Sequence, residues 1–177
     1  MIRDAVGFIL GNIQIPLFAV ALCTALLKMR AAAARHEVAT LAYTMWGELL
    51  FYSVGLGFAY AWYFHAFLAS FAAPFIGWRP SPFEWELAWA ELGIAVIAVL
   101  SLWRGFEMRL AATLVFAIFS FGAAAQHIHF IFVRRDYSPG NAGPILWFGD
   151  LALPLLLLLL ALASRDAYER EAARGRV

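Results

Sequence analysis

The sequence predicts an all-α fold, a polytopic membrane helical bundle with about five transmembrane helices. Composition is the first reason: 64% of residues are apolar and 14% charged. A soluble domain carries roughly 25% charged residues, so this chain lacks the polar surface to cover a water-soluble globule. The second reason is that five apolar stretches approach the ~20 residues a spanning helix requires. Third, Gly- and Pro-rich segments at 75–83 and 134–144 separate these stretches as turns. The whole chain, residues 1–177, reads as one helical-bundle domain without internal repeats.

The first span is expected at about 5–27. Ala19-Val20-Ala21 fits a small-residue cleavage pattern, but Asn12, Gln14 and Pro16 interrupt the apolar run and Arg3 is offset by Asp4. The segment is therefore expected to be retained as a span rather than removed as a signal. Gly7 and Gly11 supply a small-residue packing face, and Gly55, Gly93 and Gly122 are expected at close helix contacts for the same reason. The second span is placed at 40–64, its helix continuing past His65 to Phe71 before Pro74 stops it.

The third span, 84–103, opens with Ser81-Pro82-Phe83-Glu84. This matches a capping box with Pro at the first helical position, so Glu84 is expected to be a cap. The fourth span is placed at 108–133 and the fifth at 145–163, where Leu155 to Leu160 is an unbroken Leu run. Pro154 frees the carbonyl of Asp150 and predicts a local irregularity of the kind that lines cavities. Beyond it, Arg165 to Arg174 should form a short helix, with Arg165 and Glu169, and Asp166 and Arg170, at i,i+4 spacing.

Orientation follows from the connections. With the N-terminus outside, the inner segments hold Lys28, Arg30, Arg35, Arg104, Arg109, Arg165, Arg170, Arg174 and Arg176, against Arg3, Arg79, Arg134 and Arg135 outside. The positive-inside rule therefore predicts an external N-terminus and a cytoplasmic C-terminus. The lipid bilayer is the expected surrounding, with a membrane-protein partner or a homo-oligomer both left open. The balance of 13 Lys and Arg against 12 Asp and Glu gives no basic patch for nucleic acid. A single cysteine, Cys23, excludes an intrachain disulfide framework and a thiolate metal site.

In this orientation His65, Glu86, Glu91, His127, His129 and Asp150 share one half of the bilayer, with Asn12 and Gln14 at comparable depth. Ionisable groups at such depth face a protein interior or a water-filled cavity. Glu91, nearly two turns into its span, needs a proton or a partner, and Ala88, Ala95 and Ala98 let its side approach another helix. Glu86 divides evenly between a first-turn surface acid and a pocket acid. His65 is read first as an interfacial residue among Tyr60, Trp62 and Tyr63. His127 and His129 lie two residues apart and point about 200° from one another, so one is expected inward. His36 is expected to be solvated. Glu48 lies toward the inner side, as a structural pair or the inner step of a proton route.

Imidazole with carboxylate suits a transition-metal ion, so the expected metal-site residues are His127, His129, Glu91 and His65. Glu48, Glu86, Asn141 and Asp150 are the expected ligand-binding or proton-relay residues. A quinone or lipid pocket would use the same histidines and aromatic rings. No His-x-x-x-His, Glu-x-x-His or Cys-x-x-Cys spacing occurs.

Gly77-Trp78, Ser81-Pro82-Phe83 followed by Glu86, the region around His127, and Pro139-Gly140-Asn141-Ala142-Gly143-Pro144 with Asp150 downstream resemble a family of small bacterial integral membrane proteins of unknown function. The resemblance covers mainly residues 75 to 160. It implies one helical-bundle domain in a bacterial inner membrane and draws attention to Glu86, His127, Asn141 and Asp150, without implying an activity. The leading expectation is a small binding or redox-accessory protein with an outer-side His/carboxylate pocket. A proton-linked carrier or channel subunit, a membrane enzyme and a structural subunit are the alternatives.

Overall fold

The computed structural model describes residue 9 and residues 11–35 and 40–173. The start of the expected first span with Gly7, and also His36 and Arg174, lie outside the described residues. The Asp166 to Arg170 spacing likewise falls outside the described side chains.

The described chain is helical. Helix α1 spans Gln14–Ala34, α2 Leu41–Phe67, α3 Ala69–Ile76, α4 Phe83–Ser101, α5 Phe106–Arg134, α6 Pro139–Ala142 and α7 Leu153–Ala173. Two stretches are wound as π-helix, Leu50–Leu56 inside α2 and Ile145–Ala152 leading into α7. Gln14–Ala34, Phe106–Arg134 and Pro139–Asp166 are long and apolar enough to cross a membrane, and the bent pair α2 and α3 brings the number to four. Helix α4 is 19 residues long but carries Glu84, Glu86 and Glu91, which sets it apart from the others.

Helix α2 does not run on to Phe71. It ends at Phe67, and after Leu68 the chain turns by 111° into α3. Pro74 therefore lies inside α3, whose end is fixed by Gly77 at φ 86°, a left-handed conformation that glycine adopts without strain. Its aromatic face remains exposed through Phe67 and Phe71.

The buried centre is built by Trp46, Leu49, Leu50, Phe116, Leu153 and Leu157 from α2, α5 and α7. Trp46 packs edge-on to Phe106 at 5.3 Å, and its indole N–H donates to Thr113 Oγ1 at 2.8 Å. The hydrogen bond satisfies the one polar atom of an otherwise apolar ring. Phe58 meets Phe116 and Phe119 in the same edge-to-face manner nearer the other end of the bundle.

At the end formed by the start of α5, Arg109 turns into the protein. Its guanidinium donates to the carbonyls of Ser101, Leu102 and Tyr43 and lies 4.0 Å over the Tyr43 ring. Two of these carbonyls belong to the last turn of α4 and its exit, where no intrahelical donor remains. Gly47 leaves room for the guanidinium, since a Cβ there would sit 2.9 Å from Arg109 Cζ. Nearby, Lys28 donates to the buried Glu48 at 2.5 Å. Tyr168 donates to Glu107 at 2.8 Å, a bond that raises the phenol pKa above its ordinary value. The expected tail helix is a continuation of α7, with Arg165 and Glu169 paired at 2.7 Å.

Gly55 packs against Val99, and Gly11 against the Phe75 ring. Gly93 and Gly122 differ from expectation, because a Cβ on either would meet nothing within 4 Å. A missing side chain permits close approach without requiring it, and at these two positions it leaves open space.

Candidate binding cavity

Opposite the Arg109 end, the start of α1, the end of α2, α3, the start of α4, the second half of α5 and the π-helical stretch surround a cavity of about 520 Å³. Tyr60, Phe64, Phe75, Phe119 and Phe148 supply much of its apolar wall, while His65, Glu91, His127 and Asp150 bring ionisable groups to it. These four come from four separate helical segments. Asn12 and Gln14, expected at the same depth, also line it.

Local backbone explains much of the assembly. Pro154 cannot donate to the Asp150 carbonyl, and the chain just before it is wound as π-helix, with Asp150 buried within it. Gly149 lets α1 approach this stretch, because any Cβ at that position would collide with the Gln14 side-chain oxygen. Phe18 and Phe148 meet edge-to-face at 5.1 Å on the same contact.

The turns on either side of α4 and α5 meet over this end. Gly77 packs against Asp136 and Ser138, and Gly140 against Phe75 and Ile76. A Cβ at Gly140 would lie 2.9 Å from the Phe75 carbonyl oxygen. Asp136 accepts from the Ser138 amide at 2.9 Å and also from the Ser138 hydroxyl, which stiffens the turn. Thus Gly77-Trp78 and Pro139 to Pro144, more than 60 residues apart in sequence, form one contact region.

His127 is buried and His129 exposed, as their angular separation on a helix requires. Asn141 orients the His127 ring. Its amide N–H group donates to the carbonyls of Asp136 at 2.8 Å and His127 at 3.4 Å, which leaves Oδ1 as the acceptor 2.7 Å from His127 Nδ1. The proton therefore resides on Nδ1, and Nε2 faces Asp150 Oδ2 across 3.6 Å. His65 is held in parallel fashion, with Glu84 Oε2 at 3.4 Å from Nδ1 and Glu91 Oε1 at 3.8 Å from Nε2.

Glu84 is not the helix cap that Ser81-Pro82-Phe83-Glu84 predicts. Its side chain is buried against His65, and no side chain caps α4. Antiparallel packing supplies the reason: α2 ends where α4 begins, so the last turn of one faces the first turn of the other. His65 is accordingly buried rather than merely interfacial. Glu86 is exposed on the other side of the first turn, and Glu48 is held by Lys28 at the far end. Glu48 and His65 are separated by roughly 25 Å of helix at 1.5 Å per residue.

The expected metal set is divided. His65 and Glu91 lie on one wall, His127 on another, and His129 points outward. Among the described residues no three His, Cys, Asp or Glu side chains form a group able to hold a metal ion.

Ile15, Phe71, Phe83 and Gly122 line the cavity and are exposed. Gly122 lies near the middle of the 29-residue α5, so this mouth opens through the side of the bundle as well as toward its end. No curated protein and no solved structure matches the chain. A family model matches residues 11–170, nearly its full described length, and extends the region of resemblance to α1 and most of α7. The chain belongs to this family, the family of unknown function DUF6790.

Proposed function

We propose that this is an integral membrane protein that binds a small lipophilic organic molecule with a polar head. The observation that carries the reading is the cavity itself, aromatic over most of its wall and bordered by two buried His/carboxyl pairs. Its volume lies within the ~300–1,000 Å³ typical of small-molecule sites. The side mouth at Gly122 and its Ile and Phe rim would admit a molecule dissolved in lipid. Divided ligand geometry favours such a molecule over a metal ion.

In this reading α1, α2, α4, α5 and α7 are five spans, α3 lies across the outer end, and the N-terminus is external. Trp62, Trp78, Trp85 and Trp89 supply an aromatic belt near that end. Arg134, at the same end, is drawn onto the Phe130 ring at 3.9 Å. The inner-membrane location follows the resemblance drawn from sequence. The Lys28–Glu48 pair accounts for Glu48 as a structural group and gives no support to a proton-carrying route.

The test is solvent extraction of protein purified in mild detergent, followed by mass spectrometry, compared with Gly122→Leu. The natural chain should carry a lipophilic molecule approaching one equivalent, and the variant should lose it while remaining folded. Recovery of no bound molecule, together with unchanged uptake of a lipophilic fluorescent probe by the variant, would overturn the reading.

A further inference from the structure

The polar equipment of the cavity is duplicated. His65 and Glu91 bring Nε2 and Oε1 to 3.8 Å on one wall, and His127 and Asp150 bring Nε2 and Oδ2 to 3.6 Å on another. Both separations exceed a good direct hydrogen bond. Glu91 Oε2 and Asp150 Oδ2 are enclosed without a hydrogen-bond partner, and each residue is only 6% exposed. Each pair therefore keeps hydrogen-bonding capacity at the cavity, where buried polar atoms ordinarily find partners.

The two imidazoles are also oriented alike. Asn141 occupies Nδ1 of His127 at 2.7 Å, and Glu84 lies at 3.4 Å from Nδ1 of His65. With the protons on Nδ1, both rings present the Nε2 lone pair toward a cavity carboxyl group. Between the two pairs the wall is apolar and aromatic. A phospholipid offers its polar group at one end only, and a dione offers oxygen acceptors to nitrogens that are themselves acceptors. A flat apolar ring with a hydroxyl at each side fits both walls.

Resting on the binding function proposed above, we infer that the ligand is a dihydroxy-aromatic molecule of the quinol class. One hydroxyl donates to the His65/Glu91 pair and the other to the His127/Asp150 pair. The ring lies against the phenylalanine walls, and an alkyl tail leaves by the mouth at Gly122. This is a statement about binding of the reduced form and includes no electron transfer.

The experiment measures binding of decyl-hydroquinone, its dimethyl ether and decyl-benzoquinone to the full chain in phosphatidylcholine nanodiscs under anaerobic conditions. The hydroquinone should bind at least about tenfold more tightly than the ether, the value of roughly one good hydrogen bond. His65→Phe and His127→Phe should each erase most of that preference and leave ether binding unchanged. Glu91→Gln and Asp150→Asn, closer in shape, give the same comparison if a histidine variant fails to fold. Equal affinity for hydroquinone and ether would overturn the quinol assignment while leaving lipophile binding intact. So would a preference that only one of the two walls controls, or a preference for the benzoquinone. If none of the three binds and no lipophilic molecule is recovered by extraction, both the assignment and the binding function fail.

Discussion

Asn141 fixes the proton of His127 by elimination. Its nitrogen is committed to the Asp136 and His127 carbonyls, so its oxygen alone remains to receive the imidazole N–H at 2.7 Å. A side chain on the short α6 thereby sets which nitrogen a residue on α5 turns toward Asp150. Asn141→Leu should release that choice. Histidine ¹⁵N NMR is expected to show the Nδ1–H form for His127 in the natural protein and a mixture of tautomers in the variant. An unchanged spectrum would remove Asn141 from its positioning role.

Gly122 and Gly93 make a matched pair, since neither has an atom within 4 Å of a built Cβ. Gly122 lines the cavity, whereas Gly93 does not. Gly122→Leu should lower uptake of a lipophilic fluorescent probe by about tenfold or more, as filling a preformed pocket removes its contact area. Gly93→Leu should leave uptake and thermal stability nearly unchanged. Similar behaviour of the two variants would contradict a mouth at mid-α5.

Arg109 is expected to matter for stability rather than binding. Arg109→Met keeps much of the side-chain length but leaves the Ser101, Leu102 and Tyr43 carbonyls without this donor. A loss of about 2–4 kcal/mol is expected from unsatisfied buried groups, read as a lower unfolding temperature in detergent. Arg109→Lys should recover part of it, because one ammonium cannot reproduce the guanidinium fork. Probe binding per folded molecule should stay constant in both variants.

Thr113→Val tests the Trp46 bond with little change of shape. Loss of the indole partner should cost ~1 kcal/mol, with polar contacts between helices in lipid averaging somewhat less. Trp46→Phe removes the donor as well, so adding Thr113→Val to it should have a smaller effect. Strict additivity in this double-mutant cycle would deny the bond an energetic role.

Topology is best probed at exposed positions. Ser164 is fully buried, which makes it unsuitable for labelling even though it lies near the inner end. In a Cys23→Ala background, Arg79→Cys should react with an impermeant thiol reagent from outside, and Glu169→Cys only after the membrane is opened. The opposite pattern would place the cavity on the inner side.

Helix positions were legible in the sequence because lipid-length apolar runs and Gly/Pro turns leave strong, local signals. The common depth of His65, Glu91, His127 and Asp150 was legible too, from connectivity and rise per residue. Azimuth was less so. It separated His127 from His129 but could not reveal which other helix either would face. Glu84 was missed because Ser81-Pro82-Phe83-Glu84 satisfies a local capping pattern, while its actual partner, His65, lies one helix back. The useful clue was that consecutive antiparallel helices bring the last turn of one beside the first turn of the next. Gly122 was misread because a small residue fits a tight crossing and an open mouth equally well.

The π-helical stretches Leu50–Leu56 and Ile145–Ala152 also determine how the chain tolerates changes in length. In an α-helix, one residue corresponds to about 100° of rotation, so a single deletion acts as a rotation of everything that follows. A wider π turn is a place where one residue can be absorbed. Removing a residue from Ile145–Ala152 would tighten that segment toward α geometry and turn Asp150 relative to Leu153 and Leu157. The same sequence length is therefore needed for two different phases, one pointing a carboxyl group at His127 and the other pointing leucines at the core. Relatives of this chain should accept substitutions in these stretches more readily than insertions or deletions.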